Sequence, residues 1–256
     1  MYRHAPSRVL ILGGTFDARA LAARLADHPG LEIVLSLAGR TKHPAPQPVP
    51  VRTGGFGGVE GLAEYLIEQG IDAMVVATHP FAARIASNAA EAATKAGVPT
   101  LRLLRPGWTP SQEDRWRHCA SVEDAPALLG ERPRRVMLTI GRQQLAAFER
   151  APHHHYLVRS VDPLDPPPAL PRFESLLARG PFNHDQERAL LEREGIEVLV
   201  TKNSGAGAVS AKLLAARTLG IEVVMIERPA TPPLTTVANI DAVLGWVVRQ
   251  RDLLAS

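Results

Sequence analysis

Cysteine and long apolar runs are nearly absent from this sequence, and each absence excludes a class of protein. Cys119 is the single cysteine in the 256 residues, so the chain cannot form an internal disulfide, and we expect this lone thiol to be inert. No run approaches the ~20 apolar residues that a membrane-spanning helix needs, and residues 1–7 lack the apolar stretch of a secretion signal. We therefore expect a soluble, cytoplasmic protein.

Aromatic residues are also scarce, at 5% of the chain, whereas hydrophobic residues as a whole make up 45%. The apolar content is mostly Ala, Leu and Val, which is typical of parallel strands covered by alanine-rich helices. The net charge of +3 suits an anionic small molecule but is too small to indicate a nucleic-acid-binding protein. The length suffices for one large α/β domain or two small ones.

Short apolar runs alternate with helix-like patterns over most of the chain, which predicts parallel sheets with right-handed crossovers. The predicted strands are 9–12, 31–37, 73–77, 100–104, 136–140, 156–161, 198–201 and 223–226. The predicted helices are 18–27, 59–69, 81–96, 143–150, 172–179, 184–194, 206–219 and 240–251. The alternation breaks between residues 105 and 135. We therefore predict an α/β fold of two Rossmann-like lobes, 1–130 and 131–256, with parallel sheets and a ligand cleft between them.

A glycine turn follows the first predicted strand. Gly13, Gly14 and Thr15 stand between the apolar run VLIL and an amphipathic helix. A dinucleotide site needs such a turn, because backbone N–H groups must approach the pyrophosphate and the next helix must point its N-terminus at it. Ala18 occupies the position of the third glycine and is small enough for close packing. The alternative is an ordinary tight turn.

The end of the second predicted strand lacks the carboxylate that usually binds the ribose of NAD. Instead it carries Ser36, Gly39, Arg40 and Thr41, with Lys42 beside them. Hydroxyl groups and a cation suit a 2′-phosphate, and the glycine allows close approach of the backbone. The first lobe is therefore predicted to bind NADPH.

Two further segments of the first lobe are candidates for ligand contacts. Thr78 and His79 follow the third predicted strand, where Thr78 can contact the ribose or nicotinamide and His79 can reach a substrate. The alternative is a helix-entry turn, with Pro80 near the first helical position. The glycine-rich loop 54–58 is either a lid that closes over a ligand or a loose crossover loop.

The second lobe carries two candidate substrate-binding turns, each after a predicted strand. The residues concerned are Gly141 and Arg142 in the first turn, and Lys202, Asn203, Ser204 and Gly205 in the second. The second turn joins a cation, an amide and a hydroxyl at a predicted helix N-terminus, which predicts an anion site. Its ligand is either a substrate carboxylate or a cofactor phosphate. A purely structural cap explains Ser204 but not Lys202.

The run His153–His154–His155 does not indicate a metal site. Side chains alternate along a strand, so three consecutive histidines cannot face one ion, and no Cys or carboxylate cluster stands nearby. We interpret the run as a polar strand entry or as a lining of an acidic substrate's pocket. No metal is predicted.

In chain order, the motifs ILGGTFDAR, SLAGRT, GGFGG, ATHPFA, TIGR and TKNSG extend over nearly the whole chain. This series resembles the precorrin-6A reductase family of cobalamin biosynthesis. The resemblance implies two Rossmann-like lobes and an NADPH-dependent reduction of one carbon–carbon double bond of precorrin-6A, giving precorrin-6B. It also implies that Gly13, Gly14, Thr15, Ser36, Gly39, Arg40, Thr41 and Thr78 contact the cofactor. The segment 202–205 is then a substrate-side element.

The charge pattern suits that substrate, since precorrins carry several acetate and propionate arms that Arg142, Arg159 and Lys202 can attract. Protonation of the conjugated ring makes a carbon electrophilic enough to accept a hydride. The candidate acids are Lys202, His79 and Asp17, with solvent as the alternative. Whether the substrate is metal-free or contains cobalt stays open.

We expect a tetrapyrrole as the small-molecule partner, with no nucleic acid and no membrane; a monomer is compatible with this. Two rival classes remain. Short-chain oxidoreductases usually pair Tyr and Lys in Y-x-x-x-K, but no tyrosine here has lysine four residues later. A non-catalytic NADP(H) sensor needs the first lobe but not the turn at 202–205.

Overall fold

The computed structural model describes residues 6–39, 46–205, 211–230 and 233–254 and divides the chain into two compact units. The first unit consists of Met1–Pro106 and Ala230–Ser256, and the second of Gly107–Pro229. The divisions therefore fall at 106/107 and 229/230 rather than at the predicted boundary between 130 and 131. Residues 107–130 belong to the second unit, where Trp116–Cys119 pairs with residues 223–226. The C-terminal segment returns to the first unit, where Thr236–Val237 pairs with residues 102–103.

Parallel strands and α-helices alternate in both units. In the described residues, the strands are β1 Ser7–Leu12, β2 Leu31–Leu37, β3 Val51–Thr53, β4 Ala73–Val76, β5 Thr100–Leu103, β6 Trp116–Cys119, β7 Arg135–Leu138, β8 His155–Ser160, β9 Phe173–Leu177, β10 Val198–Lys202, β11 Glu222–Ile226 and β12 Thr236–Val237. The α-helices are α1 Phe16–Leu25, α2 Val59–Glu68, α3 Ala83–Ala96, α4 His184–Arg193, α5 Ala211–Thr218 and α6 Ile240–Leu254. Two 3-10 helices, Ala125–Leu129 and Arg142–Arg150, lie in the second unit. None of the helices described is both long and apolar enough to cross a membrane.

Each unit is built on one six-stranded parallel sheet. The strand order is β12-β5-β4-β1-β2-β3 in the first sheet and β6-β11-β10-β7-β8-β9 in the second. In both sheets the order reverses beside a central strand, between β1 and β4 in one and between β7 and β10 in the other. Open α/β sheets bind ligands at the carboxyl ends of the strands at such switch points.

The central strands are apolar on both faces because helices cover both faces of the first sheet. Val9 and Ile11 of β1 belong to a core cluster with α1 and α6. Leu10 and Leu12 point to the other face and belong to a cluster with α2 and α3. The strand sequence VLIL is therefore apolar at every position and does not alternate between apolar and polar residues.

The structure corrects one predicted element and adds three. Residues 172–179, predicted as a helix, contain the edge strand β9, which pairs in parallel with β8. The strands β3, β6 and β12 were not predicted; each has two to four residues and lies at a sheet edge. The predicted helix 143–150 is a 3-10 helix. The other predicted helices and strands are present with ends shifted by a few residues, except that residues 206–210 of the predicted helix 206–219 lie outside the described part.

Candidate cofactor and substrate sites

The turn after β1 connects three strands of the first sheet. The Gly13 N–H donates to the Ser36 carbonyl at 2.9 Å, and the Ala77 N–H donates to the Leu12 carbonyl at 2.8 Å. Thr15 Oγ1 donates to the Ala77 carbonyl at 2.7 Å and accepts from the Ala18 N–H at 3.0 Å, so Thr15 is the N-cap of α1. The turn is thus fixed at the switch point, with the α1 N-terminus at the carboxyl edge.

The two glycines of this turn meet different demands. A Cβ on Gly13 would lie 2.6 Å from Leu35 Cδ1 and 3.3 Å from Ala18 Cβ, so β1, β2 and α1 pack too closely there for a side chain. Gly14 has a φ of 104°, which favours glycine, and nothing lies within 4 Å of its Cβ position. Backbone packed in this way leaves open space at a helix N-terminus, as a pyrophosphate requires.

The end of β2 lies beside this turn. Ser36 is buried, and its Oγ accepts a 3.4 Å hydrogen bond from Arg52 of β3, the residue paired with it in register. Gly39 has a φ of 71°, and its Cβ position is 3.0 Å from Thr53 Cγ2. The predicted contacts Arg40 and Thr41, and the neighbouring Lys42, lie outside the described residues.

Thr78 follows β4 on the other side of β1. Its Oγ1 is buried and has no hydrogen-bond partner among the described residues. A buried hydroxyl without a partner is costly, and a bound ligand would relieve that cost. The neighbouring His79 is exposed, and its Nδ1 accepts from the Phe81 N–H at 3.2 Å.

A nicotinamide dinucleotide fits this edge of the first sheet on three observations. Gly14 and Thr15 offer backbone N–H groups at a helix N-terminus, the described end of β2 has no carboxylate, and Thr78 Oγ1 has no partner among the described residues. In Rossmann folds the adenosine half lies beside the second strand and the nicotinamide half beside the fourth, and β3-β2-β1-β4-β5 here follow the Rossmann order.

Asp17, a candidate acid, is held by Arg105 in the same unit. Arg105 Nε and Nη2 donate to the two carboxylate oxygens at 2.7 and 2.6 Å. The hydrogen bond to Asp17 raises the pKa of Arg105. Both oxygens of Asp17 are therefore engaged, and its charge at the first turn of α1 is neutralised.

The glycine-rich loop 54–58 is fastened rather than loose. Arg52 Nη1 donates to the Gly54 carbonyl at 2.7 Å and Nη2 to the Gly55 carbonyl at 2.6 Å. The Phe56 ring packs edge-on against Tyr65, with 5.2 Å between the ring centroids. These contacts argue against the predicted lid.

In the second unit, the predicted substrate residues also lie at the switch point of the sheet. The segment 202–205 begins at the last residue of β10, and Gly141 and Arg142 follow β7, the neighbouring strand. Gly141 has extended backbone and precedes the 3-10 helix, and Arg142 is exposed. The parallel sheet thus brings together two turns that are about sixty residues apart in sequence.

Asn203 performs a structural task that the sequence did not reveal. Its Oδ1 accepts from the Trp108 N–H at 2.7 Å, and its Nδ2 donates to the Trp108 carbonyl at 3.1 Å. The side chain is buried and lies 3.1 to 3.3 Å from where a Cβ of Gly107 would be. Asn203 therefore anchors the start of the second unit to the end of β10.

Arg228, which sequence reasoning missed, organises the same turn. Its Nε donates to the Asn203 carbonyl at 2.8 Å, and its Nη2 donates to the Ser204 carbonyl at 3.0 Å. Ser204 Oγ donates to the Lys202 carbonyl at 3.4 Å. Lys202 itself is half-buried at the end of β10. The predicted N-cap role of Ser204 concerns a helix start outside the described residues.

A second missed residue, Lys212, lies behind the turn after β7. Its Nζ donates to Thr139 Oγ1 at 2.9 Å, and Thr139 Oγ1 donates to the Val200 carbonyl at 3.1 Å. Burial, together with the charge of Arg159, lowers the pKa of Lys212 to about 7, against an opposing effect of Glu187. A lysine on the apolar face of a helix was the available sequence signal.

Arg159, expected to attract substrate carboxylates, has an internal partner instead. Its Nη1 lies 2.5 Å from Glu187 Oε1, and both side chains are at least nine-tenths buried. The guanidinium also lies 4.4 Å from the centre of the Phe182 ring. Its charge is therefore neutralised by Glu187 within the second unit.

The histidine run lies at the amino end of β8, away from the carboxyl edge. The buried His154 accepts from the Arg134 N–H at 3.2 Å, and burial lowers its pKa to about 4. This position does not favour the pocket-lining interpretation. Nowhere in the described residues do three or more His, Cys, Asp or Glu form a group that could hold a metal ion. Cys119 is buried, and burial raises the pKa of its thiol to about 11, which disfavours the nucleophilic thiolate.

Together, the parallel sheet, the glycine turn at its switch point and the open helix N-terminus define a Rossmann-type nucleotide-binding protein. Residues 8–248 match the family model described as "Precorrin-6x reductase CbiJ/CobK". A precorrin-6A reductase of Sinorhizobium sp is 52% identical over 94% of this chain and 92% of its own length. The chain belongs to the precorrin-6x reductase family, whose members are oxidoreductases of cobalamin biosynthesis.

The fold agrees with that membership. A solved structure of CobK precorrin-6A reductase superposes with a TM-score of 0.92 at 45% identity, over 95% of this chain and 97% of that one. A cobalt-precorrin-6A reductase of Priestia megaterium is 30% identical over 94% of this chain and 98% of its own length. The chain is thus more similar to the relative named for the metal-free substrate.

Proposed function

We propose that this protein reduces one carbon–carbon double bond of precorrin-6A with NADPH, giving precorrin-6B. The observation that carries the proposal is the carboxyl edge of the first sheet, in a chain of this reductase family. A pyrophosphate turn lies there at the switch point, beside a Thr78 hydroxyl that has no partner among the described residues. The first unit is the cofactor side and the second unit the substrate side.

The cofactor is held by backbone more than by side chains. The N–H groups of Gly14 and Thr15 and the α1 N-terminus bind the pyrophosphate, since the Gly13 N–H is donated to the Ser36 carbonyl. Ser36 and Gly39 receive the adenosine ribose, and Thr78 Oγ1 gains a hydrogen-bond partner on the nicotinamide side. When bound, the dihydronicotinamide supplies a hydride for the substrate carbon.

The preference for NADPH over NADH rests on charge. An acidic residue at the end of β2 would bind the ribose 2′-hydroxyl and repel a 2′-phosphate, and residues 31–39 contain only Glu32 at the far end of the strand. The sequence adds a cation and a hydroxyl, Arg40 and Thr41, directly after this segment.

The substrate side binds carboxylate arms and holds a proton. Arg142 and Lys202 supply positive charge at the switch point of the second sheet. Lys202 is the first candidate to protonate the conjugated ring, because both oxygens of Asp17 are bound by Arg105. His79 is exposed and remains the second candidate.

Cobalt-precorrin-6A is the second candidate substrate, favoured by the relative that carries that name. We propose the metal-free form as the physiological substrate because identity to the Sinorhizobium protein is higher. The two forms differ in charge and rigidity at the ring centre, so comparing their kcat/KM values shows which form is the preferred substrate.

The decisive experiment is anaerobic incubation of the protein with NADPH and precorrin-6A, followed by mass spectrometry. A product heavier by two hydrogens, formed together with NADP+, supports the reductase. Cobalt-precorrin-6A and NADH serve as the matched alternatives. NADPH binding without any precorrin-dependent oxidation would favour the non-catalytic sensor.

A further inference from the structure

Arg52 is a cation that no described carboxylate neutralises. Within the described part of the chain, its hydrogen-bond partners are the carbonyls of Gly54 and Gly55 and the hydroxyl of Ser36, at 2.7, 2.6 and 3.4 Å. Among residues 6–39 and 46–205 and the later described segments, no Asp or Glu forms an ion pair with it. Carbonyl and hydroxyl acceptors orient a guanidinium without cancelling its charge.

The guanidinium of Arg52 is also held rigidly. Its Cζ lies 3.7 Å from the centre of the Phe56 ring and 5.1 Å from that of Tyr65, both within the range of cation–π attraction. The loop of residues 54–58 therefore supports the side chain as much as the side chain supports the loop. A guanidinium fixed in this way loses little conformational freedom when it binds an anion.

Arg52 retains donors for a further acceptor. A guanidinium has five N–H groups, and the hydrogen bonds within the described residues use both on Nη1 and one on Nη2. The Nε–H and the second Nη2–H are left over. Two donors on one planar group match the oxygens of a phosphate.

The position of Arg52 identifies which phosphate. It pairs in register with Ser36, the last buried residue of β2. In Rossmann folds the ribose 2′ position of the adenosine half lies at the end of this strand. An unneutralised cation at that point attracts a 2′-phosphate and offers little to a 2′-hydroxyl.

We propose that Arg52, acting with Ser36, binds the 2′-phosphate of NADPH and thereby determines the choice of NADPH over NADH. The inference rests on the proposed function, since it assumes that the dinucleotide binds at the first sheet. It adds a residue from a strand that the glycine turn and the sequence 36–41 do not include.

The test is calorimetric binding of four ligands to the full chain: NADPH, NADH, 2′,5′-ADP and 5′-ADP. The variant Arg52→Met keeps the apolar stem and removes the charge. We expect it to weaken NADPH and 2′,5′-ADP by roughly 10- to 100-fold, as for a lost charged hydrogen bond, and NADH and 5′-ADP by less than about threefold. Arg52→Lys keeps the charge but not the planar pair of N–H donors. Its affinity for NADPH should therefore lie between those of Arg52→Met and the wild type.

Arg24→Met is the matched control, because Arg24 lies in the last turn of α1 and pairs with Asp241. It should leave all four affinities unchanged. Equal losses for NADPH and NADH in Arg52→Met would make Arg52 a loop anchor only and overturn the inference. If circular dichroism shows that Arg52→Met is unfolded, Arg52→Lys becomes the test. An unchanged ratio of NADPH affinity to NADH affinity in Arg52→Lys would then overturn the inference.

Turnover keeps the two proposals distinct. If the wild type reduces precorrin-6A with NADPH but the Arg52 variants keep the wild-type cofactor ratio, only the inference on Arg52 fails. If the wild type binds NADPH and NADH equally, the cofactor assignment under the proposed function fails as well.

Discussion

Lys212 Nζ and Thr139 Oγ1 form a 2.9 Å hydrogen bond inside the second unit, between α5 and the end of β7. The lysine is only 5% exposed, and the Arg159–Glu187 pair is the charged environment that acts on it. A buried ammonium is costly, so the neutral amine is favoured, and its pKa falls to about 7. The turn that carries Gly141 is thus supported by a group that titrates near neutrality.

This pair predicts a pH dependence of stability. In the unfolded chain the lysine titrates near 10.5, whereas in the folded chain it titrates near 7. Between these values the unfolded state binds more protons, so the free energy of unfolding rises with pH and is lost as the pH falls toward 7. The slope from one such group is at most about 1.4 kcal/mol per pH unit.

Urea unfolding at pH 7, 8 and 9 measures that slope. Lys212→Met removes the titration and keeps the length of the side chain, so we expect a flatter pH profile in the variant. Other groups titrate equally in both proteins and cancel in the difference. Identical slopes would show that Lys212 stays charged in the folded state.

Thr78→Val should separate stability from cofactor binding. The Oγ1 is buried without a partner in the described residues, so its replacement by a methyl group should leave the unfolding free energy unchanged or raise it by up to about 1 kcal/mol. Binding of NADPH should weaken by roughly 2- to 10-fold, because the ligand loses one neutral hydrogen bond.

Thr15→Val is the informative comparison for that experiment. Thr15 Oγ1 caps α1 and also donates to Ala77, so its loss should lower the unfolding free energy by about 1 kcal/mol. Denaturant unfolding and calorimetry of both variants give the two readouts. A Thr78→Val protein with unchanged NADPH affinity would remove Thr78 from the cofactor site.

Local chemistry explains what the sequence could predict. The turn after β1 is specified within ten residues, by an apolar strand, two glycines and an N-capping threonine, and its predicted packing against Ala18 is confirmed. The family resemblance is confirmed over residues 8–248. It could be found from the sequence because it depends on the order of motifs along the chain.

Pairing across the chain explains what the sequence could not predict. Arg52 reaches Ser36 only because β3 adds to the sheet, and Trp108 meets Asn203 although they are 95 residues apart. The strand β9 does not alternate between buried and exposed residues, so its sequence lacks the period-2 pattern of a strand and was predicted as a helix. The division at 106/107 has no local signal either, because β6 joins the second sheet by pairing with β11, which lies far away in the sequence.

Asn203→Ala should affect stability more than substrate binding. The side chain is buried and makes two hydrogen bonds to the backbone of Trp108, so its loss leaves the N–H and the carbonyl of this half-buried residue without that partner. We expect a loss of about 2–3 kcal/mol in unfolding free energy. Thermal unfolding and the KM for precorrin-6A are the measurements; a KM raised at least tenfold without destabilisation would instead place Asn203 in direct contact with the substrate.

Two variants of Lys202 can show whether it donates the proton, because one removes its positive charge and the other keeps the charge but removes its ability to act as an acid. Lys202→Ala removes both the cation and the acid, whereas Lys202→Arg keeps the cation in a group that does not release its proton. If Lys202 protonates the ring, kcat should fall by about 10²- to 10⁴-fold in both variants, while KM rises clearly only in Lys202→Ala. Asp17→Asn and His79→Gln test the other two candidates with the same measurements of kcat and KM. A Lys202→Arg enzyme with wild-type kcat would limit Lys202 to carboxylate binding and make His79 or solvent the source of the proton.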